Sequence, residues 1–250
     1  MWIGFTGPAS LSIMRTTFHP VPELRMSRVT TLTQSLVGKK VVMAVSGVVL
    51  LGFVLGHMVG NLKIFQGPEH FNAYAEGLRT VGAPFFGRGQ LLWLVRLVLI
   101  AAAGLHIWAA YVVTRASWAA RPVGYHSLRL VETTYAARTL RWGAVIILLF
   151  VVYHLLDLTF GPANPAFSPG DAYHNVVASF GRAPVAVAYL VAMGALSLHL
   201  YHGIYSACQT LGLNHPRYNA ARRGFALVFS LVVAGGFAAV PLAVLTGGVR

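Results

Sequence analysis

His57, His106, His154, His199 and His202 fall inside long apolar stretches, whereas the other five of the ten histidines lie outside them. An ionisable ring in such surroundings costs several kcal/mol or more unless it faces an interior and finds a partner. The chemistry open to it is a structural hydrogen bond, a proton path or metal ligation. Four successive stretches each bring at least one such ring: GFVLGHMVGN, GLHIWAAYVV, VVYHLLD and LSLHLYHGIY. In the last, His199 and His202 point about 60° apart on a helix, so both can face one core and spacing does not choose between them.

The elements that must position these rings are set by composition. Of the 250 residues, 56% are hydrophobic and only 10% charged, far below the roughly 25% charged of a soluble domain. Lipid is the expected solvent. Apolar runs of about 20 residues, enough to cross a hydrocarbon core of about 30 Å, occur five times. They lie near 39–61, 91–114, 141–160, 184–210 and 224–246, and none shows the alternation of a barrel strand. The fold class is an all-α membrane protein: five transmembrane helices in one domain over 39–246, after an N-terminal segment of residues 1–38. Between spans, PEHFNAYAEGLR repeats apolar residues at helical spacing and reads as an interfacial helix. DAYHNVVASF reads as two helical turns starting near Asp171.

Charge gives the orientation. Of the 19 lysines and arginines, thirteen lie before the first span (Arg15, Arg25, Arg28, Lys39, Lys40), between the second and third (Arg115, Arg121, Arg129, Arg138, Arg141) or between the fourth and fifth (Arg217, Arg222, Arg223). The positive-inside rule puts that side, with the N-terminus, in the cytoplasm. The formal charge of +13 therefore needs no nucleic acid to explain it. The loop 115–140, long and basic, is the natural docking surface for a cytoplasmic partner. The leading MWIGFTGPASLSIMRTTFHP makes a poor signal peptide; translation from Met26 would leave residues 1–25 outside the mature chain.

With that orientation each histidine acquires a depth. His57 lies near the outer end of the first span and His154 about 9 Å short of the outer end of the third. His106 and His199 lie past the midpoints of spans that run inward. Two pairs of imidazoles at two depths, each split between two helices, are what two bis-histidine haems b in a four-helix core need, with the fifth helix outside it. Copper or a proton relay has the same spacing open to it. Gly52, Gly56 and Gly60 form one stripe beside His57, fit for close approach of a helix or a flat macrocycle. Cys208 is the only cysteine, so any iron–sulfur cluster must belong to a partner.

Taken with their flanking residues, GKKVVMAVSGVVLLGFVLGHMVGNLKIFQG, RLVLIAAAGLHIWAAYVV, YAARTLRWGAVIILLFVVYHLLDLTFG and SLHLYHGIYSACQTLG resemble the histidine-bearing helices of the single-chain, dihaem cytochrome b anchor of succinate dehydrogenases and fumarate reductases. The resemblance runs over about residues 35–245. It implies two haems b held by His57, His106, His154 and His199, paired His57 with His154 and His106 with His199. It also implies a menaquinone-type site and assembly with a flavoprotein and an iron–sulfur subunit on the cytoplasmic face of a bacterial inner membrane, with a higher oligomer of the complex open. The family's asparagine in place of His202 argues that His202 is not a ligand and leaves it a core or propionate hydrogen bond. Arg96, about 15 Å outward of His106 on its helix, is a candidate for a propionate or the quinone, and Glu76 for proton transfer. Ser197 stands where some fumarate reductases of this type carry a glutamate, which favours succinate oxidation over the reverse. Anchors of formate dehydrogenases or hydrogenases order their histidines differently; a haem-free scaffold or transporter is the remaining rival.

Overall fold

The computed structural model describes residues 35–120 and 135–250, and among them it is all helical. Arg15, Arg25, Arg28, the Met26 start and most of the basic loop 115–140 lie outside the described residues. Helix α1 (Leu36–Asn61) starts where the Ser35 hydroxyl accepts the Gly38 N–H at 3.0 Å, satisfying one of the free donors of a first turn. It passes into a 3₁₀ turn, Leu62–Gln66, and then into α2 (Pro68–Thr80), which opens with Pro68 in its first turn. Helix α3 (Gln90–Ala119) follows, then α4 (Tyr135–Leu155), which widens into a π turn over Leu156–Phe160. That turn closes at Gly161, whose φ of 95° suits a residue without a Cβ. Helices α5 (Ala172–Phe180), α6 (Ala183–Thr210) and α7 (Asn219–Leu245) complete the chain, with a short 3₁₀ turn at Pro216–Tyr218.

Five of these helices are long and apolar enough to cross a membrane: α1 with its 3₁₀ extension, α3, α4 with its π turn, α6 and α7. Their large side chains face outward to a degree water would not tolerate, Ile100 at 66% and Leu149 at 64% exposure among them. Such helices bury only a seam against one another and leave the rest to acyl chains. The interfacial helices expected from PEHFNAYAEGLR and DAYHNVVASF are α2 and α5. The spanning helices begin up to six residues earlier than the apolar runs indicate, because caps and polar first turns precede the hydrophobic stretch.

Helix α1 packs beside α3, α4 beside α6, and α1 beside α6, while α7 lies against α6 and α1. Among the described residues α3 and α4 come together at one end, where Arg141 lies over the Trp118 ring at 5.4 Å, but are not closely packed along their length, nor are the diagonal pairs α1/α4 and α3/α6. The four histidine-bearing helices thus make a bundle open along one side, with α7 as an outer support. One end is capped by α2 and α5. Asn72 donates to Asp171 Oδ1 and accepts the Tyr173 N–H, both at 2.9 Å, and Ile64, Phe71, Phe180, Tyr189, Val240 and Val244 form an apolar core beneath. The other end carries Lys39, Lys40, Arg115, Arg141, Arg217, Arg222 and Arg223 and is called the basic end.

Candidate functional site

Nearer the basic end, α3 carries His106 toward α1. Its Nδ1 lies 2.9 Å from the Met43 carbonyl and 3.4 Å from Ser46 Oγ. The Ser46 hydroxyl already donates to the Val42 carbonyl at 2.7 Å, so both groups facing Nδ1 are acceptors and Nδ1 carries the ring proton. Close approach is possible because Gly47 has no side chain: a Cβ there would stand 3.1 Å from His106 Cε1. From α6, diagonally across, the His199 ring comes within 6.1 Å of the His106 ring, centroid to centroid, at 66°. The buried Nδ1 of His199 has no hydrogen-bond partner among the described residues.

Toward the capped end, α1 and α4 bring His57 and His154 together at 5.9 Å and 82°. Aromatic rings wall the pair: Phe53 stacks on His57 at 5.3 Å, Phe237 of α7 approaches it at 5.8 Å, and Phe150 approaches His154 at 5.8 Å. His154 Nδ1 is 3.3 Å from the Tyr189 hydroxyl of α6, and that hydroxyl donates to Asp157 Oδ2 at 3.0 Å. Asp157 is fully buried. It also accepts from the Ser179 hydroxyl and forms an ion pair with Arg182 at 2.6 Å. Arg182 in turn donates to the Ala163 carbonyl at 2.9 Å, tying the network to the loop after the π turn.

The two pairs stand at different levels. On α6, Tyr189 beside His154 and His199 itself are ten residues apart, about 15 Å of helix. On α1 the stretch between Gly47 and Gly56 is apolar throughout, so no polar side chain of that helix links the levels. Among the described residues no three of His, Cys, Asp and Glu gather as ligands for a bare ion. The histidines come in twos.

The other residues singled out in the sequence lie apart from the pairs. Arg96 is exposed on α3 and stacks over Trp93 at 4.8 Å. Glu76 forms ion pairs with Arg79 at 2.9 Å and Arg88 at 2.5 Å. His202 is half-buried, one turn beyond His199. Of the glycine stripe, Gly52 and Gly56 have nothing of this chain within 4 Å of a Cβ position, whereas Gly60 lies against the Tyr74 ring of α2. Among the described residues, then, Gly60 is the one of the three that packs against another helix of the chain.

Sequence reasoning missed the group Asp157, Tyr189, Ser179 and Arg182. A signal was present, since Asp157 is the one acidic residue in any described span, and such residues are functional candidates by default.

No curated protein and no solved structure matches the chain. A family model does: residues 119–239, just under half of the sequence, match the Succinate dehydrogenase/Fumarate reductase transmembrane subunit. Five apolar helices agree with a match to a transmembrane subunit, and residues 119–239 are similar to that family.

Proposed function

We propose that this chain is a dihaem cytochrome b anchor that carries electrons between the flavoprotein and iron–sulfur subunits of a succinate:menaquinone oxidoreductase and a quinone in a bacterial inner membrane. The observation that carries the reading is that each histidine pair spans a diagonal of the bundle whose helices do not themselves pack. A metal-bound imidazole nitrogen stands about 2 Å from the ion, so two rings on opposite faces of one ion have centroids about 6 Å apart. The separations of 5.9 Å and 6.1 Å fit that span. Two protein ligands suffice only where four equatorial nitrogens come with the metal, as in haem. A bare copper(II) ion prefers a square-planar or tetragonal set of ligands, more than either pair offers among the described residues.

His57 and His154 would hold one haem, His106 and His199 the other. Held by these residues, haem b would supply one-electron Fe(III)/Fe(II) chemistry. The chain's own part is positional. The acceptors at Met43 and Ser46 fix the tautomer of His106, the open side between α3 and α4 leaves room for a flat group, and the aromatic wall of Phe53, Phe150 and Phe237 excludes water from the pair near the capped end. The basic end would face the cytoplasm by the positive-inside rule and receive the partner subunits. Succinate oxidation is the favoured direction because Ser197 leaves that level of α6 without a carboxylate.

The test is copurification followed by a pyridine haemochrome assay and a dithionite-reduced spectrum. Two haems b per chain, together with a flavoprotein and an iron–sulfur protein, is the expected result. Absence of the reduced haem α band from the intact complex would end the reading and leave a scaffold or transporter.

A further inference from the structure

We propose that Tyr189, oriented by Asp157, is a positioning residue for His154: it fixes the ring proton on Nδ1 and turns a bare Nε2 toward the haem. The inference rests on the proposed function, which supplies the haem, and concerns residues to which no role has been given. Asp157 is fully buried and engaged with Arg182 at 2.6 Å; an ionised carboxylate can only accept hydrogen bonds. The single hydroxyl proton of Tyr189 is therefore committed to Asp157 Oδ2, 3.0 Å away. What Tyr189 offers to His154 Nδ1, at 3.3 Å, is an oxygen lone pair. Nδ1 must then be the protonated nitrogen, and Nε2 the free one.

Several elements converge to hold the chain of contacts. The π turn after α4 carries Asp157, the last turn of α5 carries Ser179, Arg182 caps α6, and Tyr189 sits two turns further on. The Tyr189 ring is itself clamped edge-on by Phe150 at 4.8 Å and Phe180 at 4.7 Å, so the hydroxyl has little freedom to turn elsewhere. A ligating histidine whose second nitrogen donates toward a carboxylate, directly or through one group, is oriented and made more basic by it. A more basic axial ligand favours ferric iron, so this chain of contacts holds the potential of that haem down. Among the described residues the pair near the basic end has no such carboxylate: His106 faces a main-chain carbonyl and a serine.

The experiment uses the purified complex with its partner subunits. Redox titration followed optically and by electron paramagnetic resonance compares wild type with Tyr189→Phe, which keeps the ring, its aromatic contacts and the Asp157–Arg182 pair. Both haems are expected to remain. One couple moves upward: at its wild-type midpoint the ratio of reduced to oxidised haem rises about threefold to tenfold, tenfold being about 59 mV for one electron. The other couple stays in place and serves as internal reference. If Tyr189→Phe fails to assemble, Asp157→Asn combined with Arg182→Leu removes both charges together and leaves the hydroxyl undirected, with an upward shift of the same couple expected. A complex in which neither couple moves, or both move equally, overturns the assignment while the dihaem reading stands. Wild-type complex without haem overturns both.

Discussion

Gly47→Ala tests how tightly α1 approaches His106. The added Cβ would stand 3.1 Å from His106 Cε1 and 3.3 Å from Nδ1, against 3.4–4 Å for ordinary contact, so the ring must retreat by a few tenths of an ångström. That retreat stretches the 2.9 Å bond from Nδ1 to the Met43 carbonyl to about 3.2 Å, the long end of the normal range. Overpacking of this size costs about 1–3 kcal/mol, and loosening the hydrogen bond forfeits part of about 1 kcal/mol. Alanine's better helix propensity returns up to about 1 kcal/mol. The net expectation is a loss of about 1–2 kcal/mol, with a selective effect on the haem proposed for His106 and His199. Thermal unfolding in detergent measures the first and a haemochrome assay the second, falling from two haems toward one. Gly104→Ala is the control, on α3 with nothing within 4 Å of the new carbon; it should hold or gain stability. A Gly47→Ala protein as stable as wild type with both haems intact would refute the geometry at this pair and the reasoning built on it.

Two further expectations concern the capped end. Arg182→Leu leaves the fully buried Asp157 without its cation; uncompensated buried charge costs about 3–5 kcal/mol, and because the Arg182 side chain is 31% exposed the lower figure applies. A thermal midpoint within a degree of wild type would contradict this. Asp171→Ala removes the cap of α5, where the carboxylate accepts the His174 N–H at 2.9 Å, and costs about 0.5–2 kcal/mol, seen as faster hydrogen exchange in α5. The His174 N–H, then the Asn72 amide, hold the Asp171 carboxyl below its ordinary value. A depressed folded-state pKa means the contribution is complete above the ordinary aspartate range and drains away as pH falls through the folded value. The difference in exchange between wild type and Asp171→Ala is expected to vanish in acid and persist at neutral pH; the opposite trend would overturn the sign.

The spans and the depth of each histidine were legible because both are one-dimensional quantities: apolar run length against bilayer thickness, and position along a helix at a fixed rise. Helices α2 and α5 were legible from their apolar spacing and turn residues. What one dimension does not carry is which side chains from distant segments meet. VVYHLLD shows an acid three residues after His154, but its partners come from α5, the cap of α6 and α6 itself, and the π turn that places Asp157 leaves no mark in local propensity. Arg96 and Glu76 attract attention as charges near the spans. Their partners, the Trp93 ring and the guanidinium groups of Arg79 and Arg88, are local.

The two histidine pairs differ in how their surroundings can change. At His106 the nearest acceptor is the Met43 carbonyl, a main-chain group that no substitution removes; only the volume beside it, at Gly47, is open to variation. At His154 the acceptor is a side-chain hydroxyl, directed by a second side chain and neutralised by a third, so each link can be altered singly. Substitution can therefore disturb one site mainly by displacing its ring and the other mainly by changing what its ring donates to. Variants that remove the charge of Asp157 or Arg182 or the hydroxyl of Tyr189 should move one of the two proposed haem potentials over a graded range, whereas variants around His106 should act more nearly as occupancy or loss. A graded series of potentials from substitutions at Gly47 would break that contrast.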